Sequence, residues 1–153
     1  QLYLIFKTKV RKQKDIYYLY IVFAVISFIL ALILSCFYFI YLNDYILSVA
    51  GFVFLIGFLS PMITAHLYKI VPFLVWFHRF SSLVGKQKVP MLADMVPLKS
   101  SNFGFSFYLI GFILSLIAFS LNSDILFKSA VSFLFIGTLF IVKDVFYIIN
   151  FKG

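Results

Sequence analysis

The sequence contains no glutamate, one cysteine, one tryptophan and two histidines, and only 12% of its 153 residues are charged. Each scarcity excludes something. Cys36 has no partner within the chain, so no disulfide framework exists, and in its apolar run it reads as a small buried or lipid-facing side chain. The five acids are all aspartates. No paired catalytic carboxylates, glycine-rich phosphate loop, Cys-x-x-Cys or His-Glu-x-x-His occurs, which leaves hydrolytic and phosphoryl chemistry without residues to carry it. Soluble domains average about 25% charged and about 45–50% apolar residues. With 64% hydrophobic residues, this chain is not a water-soluble globule, and 22% aromatics set it apart from a disordered one.

What is present is a formal net charge of +8, and the placement of the charges explains it. Lys7, Lys9, Arg11, Lys12 and Lys14 precede Asp15, and the remaining cations are scattered between long uncharged runs. Nucleic-acid binding needs base-reading polar residues on an accessible fold. Hydrocarbon flanks the basic cluster instead, so nucleic acid is not expected as a partner and the lipid bilayer is.

About 20 apolar residues cross a hydrocarbon core of about 30 Å. Ile16 to Asn43 is uncharged, with tyrosines at both ends as interfacial anchors, and predicts a first span over about 16–41. A second runs over about 45–68, opened by Asn43-Asp44. Apolar character continues past Lys69, and a single helix from Tyr45 to Phe80 would measure about 54 Å, too long for one crossing. Pro61 predicts a kink and Pro72 a bend or stop just before it, which leaves Pro72 to Phe80 as an interfacial segment. Residues 81–104 form the main loop, where Asp94 is placed to pair with Arg79, Lys86 or Lys88. Spans over 105–121, with Ser100, Ser101 or Asn102 as cap, and over 125–149 follow. The fourth is bounded by lysines that reach the interface through their methylenes. The expected fold is thus an all-α integral membrane four-helix bundle in one domain.

Twelve of the cations fall on the side of the N-terminal arm: the basic cluster, Lys69, Arg79, Lys86, Lys88, Lys99, Lys143 and Lys152. Only Lys128 falls opposite. Excess Lys and Arg mark the cytoplasmic face, so both termini and the 81–104 loop are expected in the cytoplasm, with short outer turns at 42–44 and 121–124. The residues around the two turns resemble one another, which suggests two parallel helical hairpins.

The densest cluster of functional side chains runs from Ser60 to Phe80. His66 lies about 31 Å along a straight helix from Tyr45, near the cytoplasmic interface. It reads either as an axial haem ligand or as an interfacial histidine bonded to a backbone carbonyl or head group. His78 is twelve residues further on, and a bis-histidine site within this chain is disfavoured. Ser60, Thr64 and Tyr68 share one helix face near Gly51, Gly57 and Pro61, a stripe suited to interhelical contact. Trp76, Phe73, Phe77, Phe80 and Arg79 form an aromatic and cationic belt that reads as an anchor or as a quinone or lipid head-group pocket. Lys69, Tyr68, Trp76, His78 and Arg79 thereby join His66 as candidate binding residues. Lys143 and Asp144, adjacent on the fourth span, are each expected to meet a head group or another chain's charge.

The runs Gly57 to Arg79 and Gly85 to Met95 resemble a segment of bacterial polytopic membrane proteins loosely grouped with haem-copper oxidase subunit I. The resemblance covers about residues 50–100. It implies a haem-associated or respiratory-chain membrane protein of the bacterial inner membrane, longer than this chain, so that a start at Gln1 reads as a C-terminal fragment lacking N-terminal spans or partner membrane subunits. The histidine-rich helices that hold haem and copper in the oxidases are absent here, and their catalysis does not carry over. A non-enzymatic transporter-like or scaffold membrane subunit, with the Pro61 and Pro72 region as a hinge, is the alternative.

Overall fold

The computed structural model describes residues 15–151; the basic cluster from Lys7 to Lys14 and Lys152 lie outside the described residues. Four long helices make the bundle: α1 (Ile16–Tyr41), α2 (Asp44–Leu83), α3 (Leu98–Leu121) and α4 (Asp124–Ile149), all long and apolar enough to cross a membrane. Among the described residues there is no strand. The chain is an all-α four-helix bundle and, by the length and composition of its helices, a multi-pass membrane protein. Outward faces are covered by side chains such as Ile26, Phe39, Ile125 and Phe135, each at least 60% exposed, as a hydrocarbon solvent requires.

Both hairpin turns use the same device. Leu42 (φ 47°) and Asn122 (φ 48°) take the left-handed conformation and stop α1 and α3. The next residue caps the following helix: Asn43 accepts the Tyr45 N–H, and Ser123 accepts the Leu126 N–H. The Tyr45 hydroxyl donates to the Phe119 carbonyl, and Phe52 packs edge-on against Phe119 and Phe127, which brings the two turns together at one end of the bundle.

Helix α2 departs from expectation. It is continuous for 40 residues and does not stop at Pro72, which lies inside it. Pro61 lacks an N–H and crowds the preceding turn. The turn before it widens to a π-helix over Val53–Leu59, where the Ser60 N–H reaches the Leu55 carbonyl five residues back. That leaves the Ile56 carbonyl without a helical donor, since its next candidate is the nitrogen of Pro61. The Tyr108 hydroxyl of α3 supplies the missing hydrogen bond at 2.7 Å. At Pro72 the lost hydrogen bond is tolerated because the helix is held from outside: Pro72 is buried, and one turn on the Trp76 Nε1–H donates to the Pro90 carbonyl at 2.9 Å.

The third helix begins at Leu98, seven residues before the expected span, so Ser100, Ser101 and Asn102 lie inside it and do not cap it. Ser101 instead donates its N–H back to the Pro97 carbonyl, which also lies 3.1 Å from the Ser101 hydroxyl oxygen. The remaining loop, 84–97, is short and folded on itself. Asp94 accepts the Met91 N–H at 3.1 Å and pairs with none of Arg79, Lys86 or Lys88. Among the described residues the one ion pair is Lys69 with Asp15, at 3.2 Å between exposed side chains.

Helices α3 and α4 pack against one another as extensively as α1 packs against the whole of α2. Small residues allow it. A Cβ on Gly111 would stand 2.7 Å from the Leu134 nitrogen and 2.9 Å from the Ala130 carbonyl, and one on Gly137 would stand 2.9 Å from the Tyr108 nitrogen. Buried positions on α4 recur as Ala130, Leu134, Gly137, Ile141, Asp144 and Ile148, alternating steps of four and three, the spacing of a helix seam. Gly51 on α2 has nothing within 4 Å of its would-be Cβ. Gly111→Ala and Gly137→Ala are therefore expected to cost about 1–3 kcal/mol by overpacking, whereas Gly51→Ala gains up to about 1 kcal/mol of helix propensity. Unfolding in detergent, followed by the fluorescence of the sole tryptophan, Trp76, checks the difference in sign.

Candidate functional site

The α3–α4 seam carries one charged residue into the interior. Asp144 is fully buried, and its position five residues before the end of α4 places it about 11 Å from the helix midpoint. With α4 centred on a hydrocarbon core of about 30 Å, the carboxyl lies within the apolar slab. It meets neither head group nor cation, contrary to the expectation from sequence. Lys143, its neighbour, points outward over the Phe140 ring, because adjacent helical residues diverge by about 100°.

Three helices surround the carboxyl. The Tyr68 hydroxyl, from α2, donates to Asp144 Oδ2 at 2.8 Å, and the Ser101 hydroxyl, from α3, donates to the same oxygen at 2.9 Å. Tyr20 of α1 stacks on Tyr68 with ring centroids 5.9 Å apart and an interplanar angle of 23°. Ile16, Ala65, Ile141 and Ile148 close the apolar shell. Two buried oxygens in this cluster have no hydrogen-bond partner: Asp144 Oδ1 and the Tyr20 hydroxyl. An isolated carboxylate buried in low dielectric costs several kcal/mol, and a carboxylate that only fastened helices together would have its acceptors filled. Asp144 Oδ1 thus keeps acceptor capacity that no described side chain fills.

Beside the cluster lies a cavity of about 350 Å³, lined by Asp15, Tyr68, Lys69, Pro72, Met91, Leu92, Ala93 and Val96. Tyr68 is common to the cavity wall and the carboxyl. The Lys69–Asp15 pair sits on the same wall, and the apolar side comes from the folded loop that Trp76 fastens through Pro90.

The structure distributes the other sequence-selected residues around α2 without assembling them. His66 is exposed; its Nδ1 lies 2.8 Å from the Met62 carbonyl, and the Tyr17 ring packs edge-on against it. His78 is likewise exposed, with Nδ1 3.1 Å from the Leu74 carbonyl. Twelve residues place the two imidazoles about 18 Å apart along the helix axis, so they cannot hold one iron between them. Arg79 donates to the Phe151 carbonyl at 2.6 Å, Trp76 is engaged with Pro90, and Phe73 and Phe77 stack on one another facing out. Of the selected residues only Tyr68 and Lys69 line the cavity. Of the Ser60, Thr64 and Tyr68 stripe, Thr64 and Tyr68 lie on the buried face of α2, while nothing approaches Gly51.

No family model, curated protein or solved structure matches this chain.

The cluster makes its own energetic prediction. Tyr68→Phe and Ser101→Ala each remove one donor from the same oxygen, and each is expected to cost about 0.6–1.7 kcal/mol of stability, non-additively. In an Asp144→Ala background the sign changes: Tyr68→Phe becomes neutral or stabilising, because the hydroxyl has already lost its acceptor. A double-mutant cycle in detergent measures this directly.

Proposed function

We propose that the chain is a transporter-like membrane subunit, with Asp144, Tyr68 and Ser101 as the internal polar site past which a small cation moves. The observation that supports it is the fully buried carboxyl with one unpartnered oxygen and, among the described residues, no compensating cation, since ionisable groups inside a membrane bundle are costly and serve pathways. The cavity beside Tyr68 gives that site an entrance, and the π-helical turn at Val53–Leu59 gives α2 a place to bend. The distribution of Lys and Arg supports placing this entrance, both termini and the 84–97 loop in the cytoplasm of a bacterial inner-membrane protein. Reconstituted in liposomes carrying proton-, sodium- and potassium-sensitive dyes, the protein is expected to dissipate a gradient of at least one of these ions faster than empty vesicles do, and Asp144→Asn to return the rate to that of empty vesicles. Dissipation no faster than in empty vesicles for all three ions would overturn the reading.

A second reading rests on His66. A carbonyl can only accept, so the Met62 contact fixes the hydrogen on Nδ1 and leaves Nε2 with its lone pair on an exposed face. This supports haem association in one form only, a single axial ligand from His66 with the second drawn from another membrane segment. Purified with its membrane partners, such a protein carries a haem absorbance band that His66→Ala abolishes and His78→Ala spares. A preparation without pigment removes the haem-associated, respiratory-chain reading.

A further inference from the structure

We propose that Asp144 binds and releases a proton, exchanging it through the Tyr68 hydroxyl with water in the cavity bounded by Tyr68, Lys69 and residues 91–96. This deepens the transport reading and rests on the same carboxyl, but it concerns what the site binds, independently of whether anything crosses the membrane.

The groups around Asp144 define its options. Tyr20 approaches from α1, Tyr68 from α2 and Ser101 from α3. Among the described residues no cation faces it: Lys143 lies over Phe140, Lys69 is engaged by Asp15, Arg79 by the Phe151 carbonyl, and Lys99 is exposed two residues before Ser101. A proton neutralises a carboxylate with no further ligands, whereas a metal cation requires a cage of about six oxygens. Here one carboxylate oxygen already accepts two hydroxyls, and among the described residues no group of three or more His, Cys or acidic side chains is placed to hold a metal ion.

The hydrogen bonds also accommodate both charge states. Ser101 Oγ has one hydrogen and two acceptors within reach, Asp144 Oδ2 at 2.9 Å and the Pro97 carbonyl at 3.1 Å. With Asp144 ionised, the serine hydrogen turns to the carboxylate, and the Pro97 carbonyl keeps the Ser101 N–H at 3.0 Å. With Asp144 protonated on Oδ2, the acid donates to Ser101 Oγ, whose hydrogen turns to Pro97. A rotating hydroxyl thus serves both states without movement of a helix.

Tyr68 supplies the route. A proton from cavity water bonds to the Tyr68 oxygen as that oxygen's own hydrogen passes to Asp144 Oδ2. One O–H bond forms on the tyrosine and one is broken, the net change is one proton transferred to the carboxyl, and nothing is oxidised or reduced. Release runs the same way in reverse.

The test uses a membrane-soluble carbodiimide, which reacts with protonated carboxyls from the apolar phase, on the full chain in detergent, with the adduct located by mass spectrometry. Expected is an adduct on Asp144 whose yield falls as the pH is raised, and none at that position in Asp144→Asn. Tyr68→Phe removes a donor from the anion, so it moves the fall to higher pH, and it slows the reaction if the hydroxyl is the route. An absence of adduct on Asp144 at every pH, or a yield independent of pH, would overturn the proposal. Should Asp144→Asn fail to fold, infrared titration of the wild-type chain decides the matter: a protonated-carboxyl stretch that disappears with rising pH supports the proposal, and its absence at low pH defeats it. Carbodiimide labelling without ion flux would defeat the transport reading alone.

Discussion

The close approach of α3 and α4 sets the rest of the structure. Gly104, Gly111 and Gly137 remove the side chains that would hold the two backbones apart, and the tightest of these contacts are to backbone atoms, which cannot step aside. In hydrocarbon no hydrophobic force drives helices together, so packing of this kind and interhelical hydrogen bonds must supply the cohesion. The seam also fixes the polar chemistry. Asp144 follows Gly137 by seven residues and Ala130 by fourteen, so the register that buries the small residues also buries the carboxyl. Ser101 precedes Gly104 by one turn on the opposite helix, and the distance from its hydroxyl to Asp144 follows from the glycine contacts.

The two ends of the bundle are built from different materials. At the turns, Phe52, Phe112, Phe119 and Phe127 pack ring on ring, with Phe23 edge-on to Phe112 further in. Such aromatic pairs contribute about 0.5–1.5 kcal/mol each beyond their buried area. At the other end, Tyr20, Tyr68, Ser101 and Asp144 converge beside a cavity, under a loop fastened by Trp76 and Pro90. The buried polar site therefore adjoins a cavity on one side, through Tyr68, and aromatic packing on the other.

Much of this is legible in the sequence, and what is not has physical causes. Uncharged runs and short polar turns locate the helices, because in a bilayer length and apolarity leave few alternatives. The prolines mislead: Pro72 reads as a boundary, but a proline ends a helix only when nothing outside supports the turn, and the Trp76–Pro90 hydrogen bond belongs to tertiary structure. Ser100, Ser101 and Asn102 read as caps by residue type, although helix-favouring Leu98 and Lys99 have already begun the turn. Asp144 reads as a surface residue because it sits beside Lys143 near a helix end. The signal for its burial is the four-and-three alternation of Ala130, Leu134, Gly137 and Ile141, which predicts the next seam position at 144. His66 draws attention by residue type, but its position relative to the same kind of seam on α2 turns it outward.

The π-helical turn connects these features. Widening α2 before Pro61 strands the Ile56 carbonyl, and the group that rescues it is the Tyr108 hydroxyl, whose own backbone lies against the would-be Cβ of Gly137. A defect in one hairpin is thus satisfied by a residue positioned by the seam of the other. Gly57, inside the widened turn, approaches both Ser27 of α1 and Phe112 of α3, so three helices meet closely at this level, between the aromatic seal and the polar cluster. Two changes would undo this arrangement: returning α2 to a regular helix, or releasing Tyr108 from Ile56. Either change exposes an unpaired carbonyl in a dry interior, at a cost of about 1–3 kcal/mol.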